Sequence, residues 1–285
     1  MSTCGNRVSE GAAAAVGGQV SDLTPVFGAL IIGDEILSGR RTDVHLAKVV
    51  AALAQRGLQL GWARYVGDEP DRIVAALQEA IAAGDVVFSF GGIGATPDDH
   101  TRACAARALG VPLALHPEAR ELIDQRGREM AAQRGESFDL DSDESARRRQ
   151  MGVFPEGATI IPNPYNRIPG FSCGALHFLP GFPVMAHPMV DWLLDTRYAH
   201  LAGRNQQHVR WARVQGAIEN RLIPAFERVE REVPGVRIFS LPSVDHPQWG
   251  PHIEVGVKGA DEAAVERGMA ILLAGVSEVG AVIAQ

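Results

Sequence analysis

In the first third of the chain, short apolar runs alternate with segments whose apolar positions recur at the spacing of a helix. Short apolar runs that are typical of strands buried on both faces lie at residues 26–32, 58–66 and 85–90. Segments with apolar side chains at helical spacing lie between them, at 43–55 and 71–83, each with a glycine shortly after its end. Strands that alternate with helices of this length pair in parallel, with right-handed crossovers. The pattern therefore predicts an open, mostly parallel α/β sheet.

The pattern changes twice beyond residue 110. We predict charged helices over 117–134 and 142–150, a proline- and glycine-rich region of short strands over 155–183, and a helix over 183–198. After a polar segment the order becomes βαββαβ, which is typical of a small α+β ferredoxin-like domain. Its strands are predicted at 209–214, 236–241, 252–258 and within 276–283, and its helices at 219–233 and 261–273.

These patterns divide the chain into three parts. Residues 1–22 are rich in Gly, Ala and Ser and lack the basic and apolar regions of a signal peptide, so they are predicted to be a disordered tail. Residues 23–203 are predicted to form the parallel-sheet domain. Residues 204–285 are predicted to form the small C-terminal domain.

Composition and net charge limit the kinds of binding partner that can be expected. The chain is 46% hydrophobic with a net charge of −7, which suffices for a core but argues against nucleic acid as a partner through a diffuse basic surface. No apolar run reaches the ~18 residues of a membrane helix, so no membrane partner is expected. Cys4, Cys104 and Cys173 are far apart and odd in number, which predicts neither disulfides nor a metal site among them. We expect a cytoplasmic protein.

Three loops that combine glycine with acidic or further glycine residues follow the first three predicted strands. They are Gly33-Asp34-Glu35, Gly67-Asp68-Glu69 and Gly91-Gly92-Ile93-Gly94. Ligands bind open α/β sheets beyond the carboxyl ends of the strands, where these loops converge. The third loop alone can be a tight turn, since it is neither a Walker loop nor the dinucleotide fingerprint.

Asp98 and Asp99 stand between the third loop and the next helix. One of them can cap the helix that begins near Thr101, a contribution of roughly 0.5–2 kcal/mol. The other would face the glycine loop, where a carboxylate repels a phosphate unless a cation or a shared proton lies between them. The pair therefore suggests Mg²⁺ or another divalent cation, or a general acid–base role. For Asp68, capping of the following helix is an equally good interpretation.

Four motifs together resemble the molybdopterin-binding (MoaB/Mog-like) domain family. They are GDEILSG at 33–39, VGDE at 66–69, GGIGATPDDHT at 91–101 and LPGFP at 179–183. Within that family the chain is most similar to the N-terminal region of competence/damage-inducible protein A (CinA) and to the N-terminal domain of eukaryotic FAD synthase. The resemblance covers residues 25–200 and implies a three-layer α/β/α domain. The region beyond residue 205 resembles the small module that follows this domain in CinA-like proteins.

The resemblance also implies roles for individual residues. Asp99 and Asp68 match the two important acidic positions and would be catalytic, and a metal would lie at Asp98 and Asp99. Thr101 would support the loop. The implied ligand-binding residues are Gly33, Asp34, Glu35, Gly91, Gly92, Gly94, Thr96, Thr101, Pro180, Gly181 and Pro183. The chain departs from the pattern at Ala95, where a proline is usual, and at Arg41-Thr42-Asp43, where CinA has an Asn-rich helix start.

Three functions follow from these residues and from the resemblance. The first is binding of a phosphorylated pterin, such as molybdopterin, or a nucleotide at the carboxyl edge of the sheet. The second is a metal-dependent pyrophosphatase that acts on ADP-ribose or FAD, and adenylyl transfer in molybdenum cofactor assembly would use the same pocket. The third is a non-catalytic interaction protein. The resemblance also implies a homo-oligomer.

Overall fold

The computed structural model describes residues 25–203 and 208–284. The predicted tail at 1–22 therefore lies outside the described residues. The predicted domain boundary between 203 and 204 lies only partly within them. In chain order, the strands before that boundary are β1 (Phe27–Ile32), β2 (Leu60–Val66), β3 (Val86–Phe90), β4 (Leu113–Leu115), β5 (Val153–Pro155), β6 (Thr159–Ile161), β7 (Gly170–Cys173) and β8 (Leu176–Leu179). The helices are α1 (Asp34–Leu37), α2 (His45–Ala54), α3 (Pro70–Ala83), α4 (Thr101–Leu109), α5 (Pro117–Arg134), α6 (Asp143–Arg149) and α7 (Pro183–Thr196).

Six of these strands form one sheet, in the order β2-β1-β3-β8-β7-β6. The first four are parallel, and β7 and β6 continue the sheet in antiparallel pairs. Strands β4 and β5 form a separate antiparallel pair that the sequence pattern did not predict. The predicted mostly parallel α/β sheet is confirmed, and its parallel strands end together at one edge.

Strand β1 explains why the sheet carries helices on both faces. Leu30 and Ile32 belong to a core that also contains apolar side chains of α3 and α4. Phe27 and Ile31 point to the other face, where they share a core with α2 and α7. Because successive side chains of a strand alternate between faces, an all-apolar strand requires a helical layer on each side. The result is a three-layer α/β/α domain.

The C-terminal domain has the predicted βαββαβ order. Its elements are β9 (His208–Gln215), α8 (Glu219–Glu232), β10 (Val236–Ser243), β11 (His252–Gly259), α9 (Glu262–Glu278) and β12 (Val282–Ala284). The strands form an antiparallel sheet in the order β10-β11-β9-β12, and apolar residues of α8 and α9 pack on one of its faces. This is the arrangement of a ferredoxin-like domain. The described helices include none with the length and apolar character needed to cross a membrane.

Two sequence predictions need correction. Residues 34–37 form the short helix α1 rather than an irregular loop. Residues 276–278 belong to helix α9 and not to the last strand, because Val276 is fully buried one turn after the buried Leu272. The helix ends just before Gly280, whose φ of +72° marks the turn into β12.

Candidate functional site

A cavity of about 510 Å³ opens at the carboxyl edge of the parallel strands. Ligand sites typically have a volume of roughly 300–1,000 Å³, so this main cavity has room for a nucleotide-sized compound. Residues that follow β1, β2, β3 and β8 all line it. The predicted site residues that the structure brings together here are Gly33, Glu35, Asp68, Gly91, Gly92, Gly94, Thr96, Asp98, Asp99, Pro180 and Gly181.

One wall of the main cavity consists of residues 91–96, which we call the glycine wall. Gly91 has φ +97°, and a Cβ atom there would lie 2.3 Å from the carbonyl oxygen of Ile32. Gly92 has φ +67°, and its Cβ would lie 2.2 Å from Oγ1 of Thr101. Only glycine combines this backbone conformation with such close neighbours. The chain can therefore bring bare backbone to the cavity at these two positions.

Asp99 holds the glycine wall in shape. Its Oδ1 accepts a hydrogen bond from the backbone N–H of Gly94 (2.8 Å). Its Oδ2 accepts from the backbone N–H of Thr96 (2.8 Å) and from the Thr96 hydroxyl (2.5 Å). At the other end of the wall, the buried Thr101 hydroxyl donates to the carbonyl oxygen of Gly91 (3.0 Å). Thr101 supports the wall from behind and does not line the cavity.

Asp34 and Asp68 join the ends of β1 and β2. The backbone N–H of Asp34 donates to Oδ2 of Asp68 (3.0 Å), and the N–H of Asp68 donates to Oδ1 of Asp34 (3.2 Å). Asp68 lines the main cavity, whereas Asp34 does not. Burial raises the pKa of Asp68, and the nearby charges of Asp34, Glu35 and Asp98 raise it further against the lowering effect of the Asp34 N–H. Asp68 is thus the lining carboxylate with a raised pKa.

The acidic side chains of the cavity do not form a closed metal site. Within residues 25–203 and 208–284, no group of three or more His, Cys, Asp or Glu residues is placed to hold a metal ion. Both oxygens of Asp99 already accept hydrogen bonds from the glycine wall. Asp68 and Asp98 remain as lining carboxylates that accept no backbone N–H of that wall, and a hydrogen bond from the Thr96 side chain lowers the pKa of Asp98. An open Mg²⁺ site, in which ligand phosphates and water complete the coordination, requires only one or two protein carboxylates.

A second wall of the main cavity was not predicted from the sequence. It consists of residues 163–169, which we call the asparagine wall. The buried Asn163 donates from Nδ2 to Oδ1 of Asn166 (2.8 Å) and to the carbonyl oxygen of Ile168 (2.8 Å), and its Oδ1 accepts from the N–H of Tyr165 (3.0 Å). Asn163, Asn166, Ile168 and Pro169 line the cavity. The Asn-Pro and Asn-Arg pairs signal turns, but turns of this composition are common and do not by themselves indicate a site.

Apolar side chains complete the lining, and sequence reasoning missed these too. They are Ile32, Ile93, Met151, Ile168, Phe182 and Met185. Pro180 and Gly181 lie on the side of β8, where a Cβ atom on Gly181 would be 3.5 Å from Cα of Gly91. Pro183, which was expected on the same wall, starts α7 and lines a neighbouring cavity instead. The main cavity thus combines apolar surface with a few polar groups, as ligand sites commonly do.

The chain is similar to a known protein family over most of this domain. Residues 28–200 match the family described as "Probable molybdopterin binding domain". A CinA-like protein of Geobacter metallireducens is 32% identical over 248 residues, which are 83% of this chain and 55% of that protein. A protein of Pyrobaculum calidifontis is 29% identical over 246 residues, or 84% of this chain and 90% of that protein. The solved structure of the protein CinA from Thermoplasma acidophilum is 27% identical with a TM-score of 0.49, and it covers 59% of this chain and 95% of that one.

The extent of these matches matters for function. The chain spans about half the length of the Geobacter CinA-like protein. The activity of that whole protein therefore does not transfer to this chain by similarity. The family match, in contrast, covers the sheet, both helical layers and both walls of the main cavity.

Proposed function

Because the chain belongs to the probable molybdopterin binding domain family and is CinA-like, we propose that its main cavity binds a phosphorylated heterocyclic compound. Molybdopterin and adenine nucleotides are the two candidate classes. The observation that carries the proposal is the pairing, in one cavity, of bare glycine backbone with apolar side chains. Backbone N–H groups bind phosphate or ring oxygens, and apolar side chains pack on a heterocycle.

The hydrogen bonds of the glycine wall support this assignment. The N–H groups of Gly91, Gly94 and Thr96 donate to protein acceptors. Those of Gly92, Ile93 and Ala95, which also line the cavity, have no protein acceptor within the part of the chain that the structure describes. Polar groups in a ligand pocket need a partner once water is displaced. These three N–H groups are therefore the donors that we assign to oxygen atoms of the ligand.

A divalent cation would enter the cavity together with the ligand. Asp98 would hold it, because Asp99 is engaged in shaping the glycine wall and Asp68 would serve as the proton acceptor. Mg²⁺ commonly binds through one or two carboxylates and the phosphates of its ligand. When bound, such a cation offsets the repulsion between the acidic lining and a phosphate, and it polarises a phosphoryl oxygen.

Hydrolysis of a pyrophosphate such as ADP-ribose or FAD is the second candidate function, and Asp68 is the residue that favours it. A carboxylate with a raised pKa next to a bound phosphate can accept a proton from an attacking water. Of the two aspartates expected to be catalytic, Asp68 is the better candidate, since the carboxylate of Asp99 accepts hydrogen bonds from the protein backbone. Adenylyl transfer would use the same residues.

Titration calorimetry with the full chain tests the proposal. AMP, ADP-ribose, FAD and molybdopterin are added with and without Mg²⁺, and the ADP-ribose and FAD mixtures are then analysed for released AMP. We expect saturable binding that Mg²⁺ strengthens. AMP release that disappears in Asp68→Asn would establish the pyrophosphatase, and binding without turnover would establish the binding function. If none of the four compounds bound under either condition, the proposal would be wrong, and a non-catalytic interaction protein would be the better account.

A further inference from the structure

One face of the sheet in the C-terminal domain is exposed. Helices α8 and α9 pack on the other face, to which Val214, Val255 and Val257 point. Because side chains alternate along a strand, the residues between these point away from the helices, to a surface that we call the open face. Its residues are Val209, Trp211 and Arg213 on β9, Arg237, Phe239 and Leu241 on β10, and Glu254, Gly256 and Lys258 on β11. The family match ends at residue 200 and the proposed function concerns the first domain, so neither assigns the open face a role.

Large apolar side chains lie at the centre of the open face. The strand register places Phe239, Gly256 and Trp211 side by side on three neighbouring strands. The Phe239 ring lies over Gly256, where a Cβ atom would be 2.3 Å from Cζ of the ring. Trp211 is 53% exposed, and Leu241, two residues beyond Phe239, is 57% exposed. An exposed apolar patch of this kind marks an interaction surface.

Arg213 lies beside these apolar side chains and is held in place. Its Nη2 donates to Oε1 of Glu254 (2.9 Å), and its guanidinium lies 4.5 Å from the ring centroid of Trp249 and 5.7 Å from that of Trp211. Its Nε is buried and has no hydrogen-bond partner in the part of the chain that the structure describes. Tryptophan and arginine are the residue types that contribute most to binding at protein–protein interfaces. The open face therefore has the composition of such an interface.

The charges of the open face are ordered along the strands. Arg237 and Lys258 are neighbours in one row at one end of the face. Glu254, in the row that contains Arg213, lies on the other side of the aromatic row. The loop that follows β10 at this second end carries the exposed Asp245. One end of the face is thus cationic and the other carries the carboxylates, so the face complements a copy of itself that is turned end for end.

We infer that the open face binds the open face of a second copy of this chain. The two copies are related by a two-fold axis that lies in the interface and runs across the strands, so each strand packs on the same strand of the second copy in the opposite direction. Arg237 of each copy then lies near Asp245 of the other, and Trp211 of each lies over Arg213 of the other. Self-complementary two-fold interfaces of this type are the commonest in homo-oligomers.

The size of the open face fits a dimer of moderate stability. Strands β9, β10 and β11 have eight residues each. Strands of that length extend about 27 Å and lie about 4.8 Å apart, so the sheet presents a face of roughly 500 Å². Two such faces together bury roughly 1,000 Å², which is near the lower limit for a specific protein–protein interface. We therefore expect a dissociation constant in the micromolar range.

Analytical ultracentrifugation of the full chain, from about 1 to about 100 µM, tests the inference. The wild type is expected to associate over this range, and Trp211→Glu to weaken the association by at least about thirtyfold, so that its particle has half the wild-type mass. Ile223→Glu is the matched control, because Ile223 is 43% exposed and lies on α8, on the other side of the sheet. It should associate as the wild type does. Circular dichroism checks that each variant is folded, and Leu241→Glu is a second variant expected to act as Trp211→Glu does.

Exchange of two charges tests the end-for-end orientation. Arg237→Asp and Asp245→Arg should each weaken the association by about threefold, because each brings like charges together, and the double variant should restore most of the loss. A wild type that stayed monomeric up to about 100 µM would overturn the inference, since this face would then have some other occupant. Equal association of Trp211→Glu and Ile223→Glu would overturn it as well. A double variant no better than the single variants would contradict the end-for-end arrangement.

Discussion

The two walls of the main cavity are held in shape by different chemistry. In the glycine wall, three donors converge on the carboxylate of Asp99, so its shape depends on one charge. In the asparagine wall, the amide of Asn163 both donates and accepts, and no charged group takes part in these bonds. Hydrogen bonds to a charged group are stronger than those between neutral groups. Loss of Asp99 should therefore damage the site more than loss of Asn163.

The largest effect is expected from Asp99→Ala. The substitution removes the acceptor of the part-buried Gly94 N–H and of the exposed Thr96 N–H, at a cost of about 1.5–3 kcal/mol in the free energy of unfolding. Because these bonds set the path of the glycine wall, binding of ADP-ribose with Mg²⁺ should weaken by about a hundredfold or more. Chemical denaturation and calorimetry measure the two effects.

Asp98→Ala is the control for the stability effect. Asp98 is an exposed neighbour whose side chain holds no backbone N–H of the glycine wall. Its replacement should change the free energy of unfolding by less than about 0.5 kcal/mol. If Asp99→Ala and Asp98→Ala unfolded at the same denaturant concentration, Asp99 would not be the residue that holds this wall.

An intermediate effect is expected from Asn163→Ala. Asn163 is only 5% exposed, and its loss leaves the carbonyl oxygen of Ile168 and the N–H of Tyr165 without partners, which costs about 1–3 kcal/mol. Ligand affinity should fall by about tenfold, because the asparagine wall loses its internal support. Tyr165→Ala keeps the backbone donor and removes a side chain that is 59% exposed, so it should behave as the wild type. Equal losses in both variants would contradict the assigned role of Asn163.

The smallest effect on stability is expected from Asp68→Asn, and it depends on pH. The pKa of Asp68 is raised in the folded chain, chiefly by burial, so its contribution to stability is present below the ordinary value of 3.8 and is lost as pH rises through the folded pKa. The asparagine retains an oxygen for the N–H of Asp34. Asp68→Asn should therefore unfold at a higher Tm than the wild type at neutral pH, and the difference should shrink as pH falls toward 3.8. A difference independent of pH would contradict the raised pKa.

The sheet and the position of the glycine wall could be predicted from the sequence, whereas the role of Asp99 could not. The sheet was predictable because β1 is apolar at every position and β3 at every position except Ser89, and such strands require helices on both faces. The glycine wall was predictable in place, because glycines after a strand signal close backbone approach. The role of Asp99 was not, since spacing alone does not show which of two adjacent carboxylates turns back onto the N–H groups of Gly94 and Thr96.

The asparagine wall could not be predicted, because residues that are far apart in the sequence come together there only in the folded chain. Asn163 follows Gly91 by about seventy residues in the chain, and the two walls meet only because β8 inserts beside β3. The helix α1 was missed because it has only four residues, too few to show a periodic pattern.

The central claim is that one ligand lies between the two walls, and hydrogen exchange of the full chain tests it most directly. Exchange is followed by mass spectrometry with and without ADP-ribose and Mg²⁺. The account predicts that peptides covering residues 91–96 and 163–169 both become protected when the ligand is added, while helix α8 of the C-terminal domain exchanges as before. Protection confined to α8 and its neighbours, or protection of one wall alone, would contradict it.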